Sequence, residues 1–166
     1  MAENTTSDQS LDQLAVEIEG VIRDLLNFIG VKAKIEVKKT DEGYYANIKS
    51  RYSNGLLIGR RGMTLKSIQY LTRVIVQRKY EAMPGLMVDV SGYRMRRENF
   101  LCKKATAIAR IVLETGREMA LDQLNDREFE SVEKALATLP DIKVYAVGSG
   151  IRKNIIIAPI KVISQN

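Results

Sequence analysis

The seven residues Leu56-Leu57-Ile58-Gly59-Arg60-Arg61-Gly62 constrain this chain more than any other stretch. A short apolar piece stops at one glycine, two arginines follow, and the apolar pattern resumes only after a second glycine. Glycine admits left-handed backbone and weakens any regular element that runs through it. Neither an unbroken helix nor an unbroken strand fits. A short apolar turn, a Gly-x-x-Gly break and a new helix do, with Leu65, Ile68, Leu71, Thr72 and Ile75 as the inner face of that helix and Pro84-Gly85 beyond its end.

The charge pattern says what the break faces. Residues 51–80 hold seven basic side chains (Arg51, Arg60, Arg61, Lys66, Arg73, Arg78 and Lys79) and no Asp or Glu. Residues 94–110 add six bases against Glu98 alone, whereas residues 1–30 carry six acids against Arg23, and residues 114–141 eight acids against three bases. The net charge of +6 is therefore concentrated in the middle of the chain. Such a surface attracts polyanions by neutralising phosphates and releasing counterions, and nucleic acid is the leading partner.

Absences narrow the field further. The sequence has no histidine, which removes a histidine general base and the commonest metal ligand. The single cysteine, Cys102, cannot form an internal disulfide and reads as a small, partly buried side chain in a reducing compartment. With no Walker loop, metal-ligand cluster or nucleophile-base pair, no enzyme activity, metal or other cofactor is expected. No apolar run approaches the roughly 20 residues of a membrane helix, and the first residues do not resemble a signal peptide. A cytoplasmic protein without membrane insertion is the expectation.

At 166 residues the chain fits one domain or two small ones. Residues 1–9 read as a disordered tail. Ser10 and Gln13 form a capping box for an amphipathic helix that ends at Gly30. Ile35 and Val37, then Tyr44, Ala46 and Ile48, alternate with polar residues around the turn at 40–43, which predicts a hairpin. A third strand covers 86–90. The class is α+β, in the order helix, strand, strand, helix, glycine loop, helix, strand. A long helix from Tyr93 to Gly116 opens a second unit, followed by a strand at 118–121, a helix at 126–139 and strands at 142–147 and 154–157.

A Gly-x-x-Gly turn between helices lets a sugar-phosphate strand approach bare main chain beside a helix N-terminus, and Arg60 and Arg61 add charge-assisted contacts. Ile58 and its neighbours form the floor of a groove for unstacked bases. The motif alone is common. Its combination with an aliphatic before it, helices on both sides, an upstream hairpin and thirty acid-free residues matches the KH module, whose glycine loop clamps about four nucleotides. The basic cluster Arg94, Arg96, Arg97, Lys103 and Lys104 reads either as a solvated helix face or as a continuation of the binding platform along the helix. Arg152 and Lys153 are weaker candidates. Tyr44, Tyr45, Tyr52 and Tyr70 are packing residues that could also stack on bases.

The run from Leu57 to Leu71, with Val88-Asp89-Val90-Ser91-Gly92-Tyr93-Arg94-Met95-Arg96-Arg97, closely resembles the bacterial Jag, KhpB or EloR family of RNA-binding proteins, and the resemblance extends over residues 11–159. It implies a type II KH domain (α-β-β-α-α-β) at 10–92. A small RxxxH-type α/β domain with a three-stranded sheet follows at 93–163, tethered by its first helix at 93–115. Carried across, Gly59, Arg60, Arg61 and Gly62 are the KH loop, flanked by Ile58 and Lys66. Arg94, Arg96 and Arg97 extend the RNA-binding set. The implied function is single-stranded RNA binding, as an RNA chaperone or post-transcriptional regulator linked to cell elongation and division, with a small KH-domain partner or a homodimer. The alternatives are a protein-interaction scaffold that uses the KH fold for dimerisation, and a ribosome-associated factor.

Two departures from the family pattern stand out. Many members begin with a separate small N-terminal domain, whereas only nine residues precede the first helix expected here, so contacts made through that domain are not expected. The RxxxH signature is also lost: Phe129 stands where the arginine belongs and Glu133 where the histidine belongs, and the shifted pair Arg127 and Ser131 still lacks the histidine. Asp126, Glu128, Glu130 and Glu133 make that helix a poor surface for phosphate. The second domain is expected to keep the family fold with little nucleic-acid affinity of its own. Ultraviolet crosslinking of the protein to RNA should accordingly place few adducts in residues 126–138, and a majority there would overturn the reading.

Overall fold

The computed structural model of the chain describes residues 4–80, 84–151 and 153–160. Its contacts divide it into two compact units, Met1–Arg94 and Met95–Asn166. The expected candidate Arg152 lies outside the described residues.

The first unit opens with α1 (Asn4–Phe28), continues through the hairpin β1 (Lys34–Thr40) and β2 (Gly43–Lys49), and passes by α2 (Asn54–Ile58) and α3 (Met63–Gln77) to β3 (Gly85–Val90). The sheet order is β1-β2-β3, antiparallel between β1 and β2 and parallel between β2 and β3. A parallel pair needs a crossover, and the two helices supply it. One face of the sheet carries Ile35, Tyr44, Ala46, Ile48, Leu86, Val88 and Val90 into a core closed by Leu14, Ile18, Ile22 and Leu26 of α1. The alternation in the hairpin is therefore as expected from the sequence.

Two details differ. Helix α1 begins at Asn4, so Ser10 lies within the helix instead of capping it, and helix replaces the expected unstructured tail from residue 4 onward. Extending a formed helix gains one hydrogen bond for each residue fixed, which carries it through poor helix formers such as Thr5 and Thr6. On α3 the buried line is Leu65, Ile68, Thr72 and Val76, while Leu71 and Ile75 are exposed. Steps of three, four and four follow one line down the helix, and Leu71 and Ile75 sit one position round from it. Buried Thr72 satisfies its hydroxyl by donating to the Ile68 carbonyl at 2.8 Å.

The hairpin turn is locked to the start of β3 by two glycines. A Cβ on Gly43, whose φ is +129°, would lie 2.0 Å from the Gly85 carbonyl oxygen, and one on Gly85 would lie 2.3 Å from that of Glu42. Further along β3, side chains occupy the edge that β2 leaves open. Gln69 Oε1 accepts from the Val88 N-H at 3.0 Å, Arg94 Nε donates to the Val88 carbonyl at 2.9 Å, and Arg94 Nη2 donates to Gln69 Oε1 at 2.8 Å. Next to them, buried Asp89 accepts from the Tyr45 hydroxyl and from the Val90 and Arg94 amides. Burial, and then the charge of Asp89, raise the pKa of the Tyr45 phenol.

The second unit is built on α4 (Tyr93–Thr115), whose first two residues belong to the first unit, followed by β4 (Met119–Leu124), α5 (Asp126–Leu136), β5 (Ile142–Val147) and β6 (Lys153–Pro159). Its sheet, β4-β6-β5, is antiparallel throughout, with an irregularity in β4 between Ala120 and Gln123. Leu101, Ala105, Ile108 and Val112 of α4 pack on Leu121, Leu124, Val132, Leu136, Ile155 and Ile157. Gly116, at φ +65°, ends α4 as expected. Asn125 and Glu128 cap α5 reciprocally, each side chain bonding the other's amide at 3.0 Å.

Arg97 ties α4 to the rest of this unit. Its guanidinium reaches Asp122 at 3.1 Å and Glu128 at 3.2 Å, with all three side chains 13% exposed. Removing one member of such a group strands the others in a poorly solvated site. Arg97→Ala should therefore cost about 3 kcal/mol in urea denaturation. Arg97→Lys should recover only part of it, because an ammonium lacks the fork that spans two carboxylates.

Candidate nucleic-acid interface

The loop at 59–62 is set by what lies on either side of it. Helix α2 is a single turn held by its environment: Leu57 is fully buried, its amide bonds the Ser53 carbonyl at 3.0 Å, and Asn54 Oδ1 accepts from the Ser50 amide at 3.1 Å. The turn ends where the Gly59 amide bonds the Gly55 carbonyl at 2.9 Å. Gly59 then adopts φ 68° and ψ −175°, and a Cβ there would sit 2.1 Å from Thr64 Oγ1 and 2.9 Å from the Thr64 amide nitrogen. Only glycine lets the chain reverse this tightly against the first turn of α3.

A single 3-10 turn, Arg60–Gly62, completes the loop. Arg61 is left-handed at φ 53° and ψ 32°, as is Gly62 at φ 79° and ψ 17°. Three of the loop's four residues thus have positive φ. For a side chain as bulky as arginine this conformation stores strain, which recurs at binding sites. The Tyr93 ring packs beneath the loop, 3.1 Å from where a Cβ on Gly62 would be.

Helix α3 follows with no side-chain cap and no acid in its first turn, so the positive end of its dipole is left to the surroundings. Arg60 is exposed and pairs with no described acid, Arg61 is half-exposed, and Lys66 is exposed one turn into the helix. Ile58 packs on the core while remaining half-exposed, and Leu56 and Met63 on either side are 59% and 49% exposed. The loop therefore brings together Ile58, Gly59, Arg60, Arg61, Gly62 and Lys66 as a cationic turn with an apolar border. Of the other bases in residues 51–80, Lys79 is engaged with Glu17 at 2.6 Å, which raises its pKa. Arg51 lies over the Tyr52 ring at 5.2 Å from its centre.

The expected basic extension is divided. Arg94 belongs to the first unit and is committed to Val88 and Gln69; Arg97 belongs to the second and is committed to Asp122 and Glu128. Lys104 donates to the Leu121 carbonyl at 3.0 Å. Lys153 lies 3.4 Å from Asp126. Arg96 and Lys103 are exposed. Among the tyrosines, Tyr44 is buried and Tyr45 is held by Asp89, while Tyr52 and Tyr70 are exposed. The sequence did not disclose the side-chain partners of Arg94 and Arg97, which stand 25 to 31 residues away. Nor did it disclose that Thr64 is the reason for Gly59. Burial, and then Glu98, raise the Cys102 thiol pKa, and this thiol donates to the Ser131 carbonyl.

Fold and loop together define an α+β protein of two three-stranded sheets whose first unit presents a basic glycine turn between helices. Its relatives agree with the family resemblance drawn from the same residues. Three curated proteins, each named RNA-binding protein KhpB, are similar to this chain. The one from Clostridium symbiosum is 31% identical over 77% of this chain and 57% of its own length. That from Bacillus subtilis is 29% identical over 74% and 58%, and that from Lactiplantibacillus plantarum is 25% identical over 95% and 47%. The chain is thus a relative of the Jag, KhpB or EloR proteins over most of its length, and it spans about half the length of the curated relatives it matches. No protein-family model matches it.

Two glycines should respond in opposite directions to the same substitution. Gly59→Ala meets Thr64 and a positive φ, and should cost about 1 to 3 kcal/mol. Gly20→Ala in α1, with nothing within 4 Å, should stabilise by about 0.5 to 1 kcal/mol. Paired chemical denaturation curves check both signs.

Proposed function

We propose that the chain is a non-enzymatic, single-stranded RNA-binding protein whose first unit is a type II KH domain. In this reading the 59–62 loop lays a sugar-phosphate strand against bare main chain. The observation that carries it is the loop geometry: three residues at positive φ end at an uncapped helix N-terminus, with Arg60 on the surface. Support comes from the order α1-β1-β2-α2-α3-β3 around a β1-β2-β3 sheet, and from relatives named as RNA-binding proteins. Phosphate oxygens are held by the Arg60 and Arg61 guanidiniums and by the amides at the start of α3, with Lys66 adding charge. Bases leave the stack over Leu56, Ile58 and Met63. The second unit is an RxxxH-like domain without its signature, since Phe129 packs on its core and Glu133 is exposed. Arg94 and Arg97 act mainly in holding the fold. The cellular role is that of a cytoplasmic RNA chaperone or post-transcriptional regulator linked to cell elongation and division, working with a small KH-domain partner.

A second reading, a protein scaffold with incidental RNA contact, is favoured by Tyr70, Leu71 and Ile75, which α3 leaves exposed. One variant separates the two. Arg60→Asp with Arg61→Asp should leave the circular dichroism spectrum unchanged and weaken binding of an unstructured RNA at least about 100-fold, since each charged hydrogen bond contributes about 1.5 to 3 kcal/mol. Affinity of the parent protein should fall steeply with salt. Affinity within threefold of the parent's would reject the loop as the RNA site and leave the scaffold reading standing.

A further inference from the structure

Left-handed backbone does not by itself explain glycine at position 62. Gly62 has φ 79° and ψ 17°, but Arg61 beside it is left-handed too and carries a long side chain. What excludes a side chain at Gly62 is an aromatic ring. A Cβ there would stand 3.1 Å from Tyr93 Cε1, 3.5 Å from the Tyr93 hydroxyl oxygen and 3.8 Å from Cζ. The first of these distances is inside the roughly 3.5 to 4.0 Å at which carbon atoms pack best.

The turn before Tyr93 keeps the ring from stepping aside. Ser91 and Gly92 are both left-handed, at φ 50° and 73°. A serine held this way is strained and persists only where its surroundings fix it. The Ser91 amide is shared between the Ile48 carbonyl at 3.1 Å and Asn47 Oδ1 at 3.0 Å, both near the end of β2. Its hydroxyl accepts from Asn54 Nδ2, at the start of α2, at 3.4 Å. Beyond Gly92, the half-buried Tyr93 packs on the core of the first unit, and the next amide, that of Arg94, donates to Asp89 at 3.2 Å.

One strained turn thus reaches both ends of the α2-loop-α3 element, all within the first unit. Ser91 holds the first residue of α2, and Tyr93 backs the residue from which α3 starts. Glycine has more backbone freedom to lose than any other residue. At Gly62 the Tyr93 ring fills the place of the missing side chain and restricts that freedom from outside. We infer that Tyr93 is a positioning residue for RNA. Acting through Gly62, its ring holds the last corner of the loop, and with it the first amides of α3, in the arrangement that receives phosphate. Tyr93 has this role only if the loop binds RNA, so the inference rests on the proposed function.

The test follows binding of a short unstructured RNA to the full chain by fluorescence anisotropy. Tyr93→Ala should weaken binding about tenfold, comparable with the cost of ordering one more backbone residue. Tyr93→Phe, which keeps the ring, should stay within about twofold of the parent. Amide hydrogen exchange in Tyr93→Ala should quicken at Gly62, Met63 and Thr64 more than in β2 and β3, whereas general destabilisation would quicken the strands as well. Where Tyr93→Ala does not fold, Tyr93→Leu takes its place. Gly62→Asn completes a double-mutant cycle, because asparagine accepts left-handed backbone but still meets the ring. It should weaken binding about tenfold beside Tyr93 and less than about threefold beside Tyr93→Leu, which lacks the three ring atoms that crowd position 62. Four results overturn the inference: affinity of Tyr93→Ala within about threefold of the parent's, an equal loss in Tyr93→Phe, exchange no faster at the loop than in the strands, or an equal cost of Gly62→Asn in both backgrounds. Each leaves the loop as the RNA site so long as Arg60→Asp with Arg61→Asp abolishes binding. If that charge-reversed chain binds as the parent does, or the parent binds no RNA, the proposed function falls and the inference with it.

Discussion

No side chain fits between Gly59 and Thr64. That single steric fact places α2 against α3, and from it follow the reversal of the chain, the left-handed Arg61 and the uncapped start of α3. Leu57, fully buried one residue before Ile58, fixes the near side of the turn, and Leu65, nearly as buried, fixes the far side. The loop is held by hydrophobic burial at both shoulders and by glycine at its corners, and Arg60 stands exposed between them. A turn built this way is already set, so in the proposed reading little ordering cost falls on association.

Positive charge in this chain thus has two uses that composition does not distinguish. Arg94 supplies hydrogen bonds to a strand edge, and Arg97 neutralises two carboxylates between α4, β4 and α5. Their neighbour Arg96, one or two positions away, faces outward. Helical geometry alone makes this division, since a step of one residue turns the side chain by about 100°. A basic run on a helix is therefore two populations, and counting it as one surface overstates the charge available to a polyanion.

Much of the fold was legible because it was written locally. The period-two pattern of the hairpin, the helical pattern of α4, the glycine stop at Gly116 and the break at 59–62 each depend on residues within a few positions. What escaped was long-range or a matter of phase. Leu65, Ile68, Leu71 and Ile75 suit a helical face as well as Leu65, Ile68, Thr72 and Val76 do, and only the packing against the sheet decides between them. The Gly43–Gly85 contact joins residues brought together by the parallel pairing of β2 and β3, which no local window contains. The start of α1 was misplaced because Ser10 has the chemistry of a cap, while cooperativity along an existing helix outweighs that preference. Of the candidate site, the glycine break and Ile58 were read from local pattern and Lys66 from the family resemblance, whereas the side chains that hold Arg94 and Arg97 are distant in sequence.

The Gln69 and Arg94 side chains that occupy Val88 have a consequence for the molecule's behaviour at high concentration. An open β edge is a template on which a further strand, from another copy or a misfolded neighbour, can add by main-chain pairing. At Val88 both main-chain groups are already taken, by an amide oxygen and a guanidinium from the same unit. A ribbon of copies joined edge to edge would first have to break that plug.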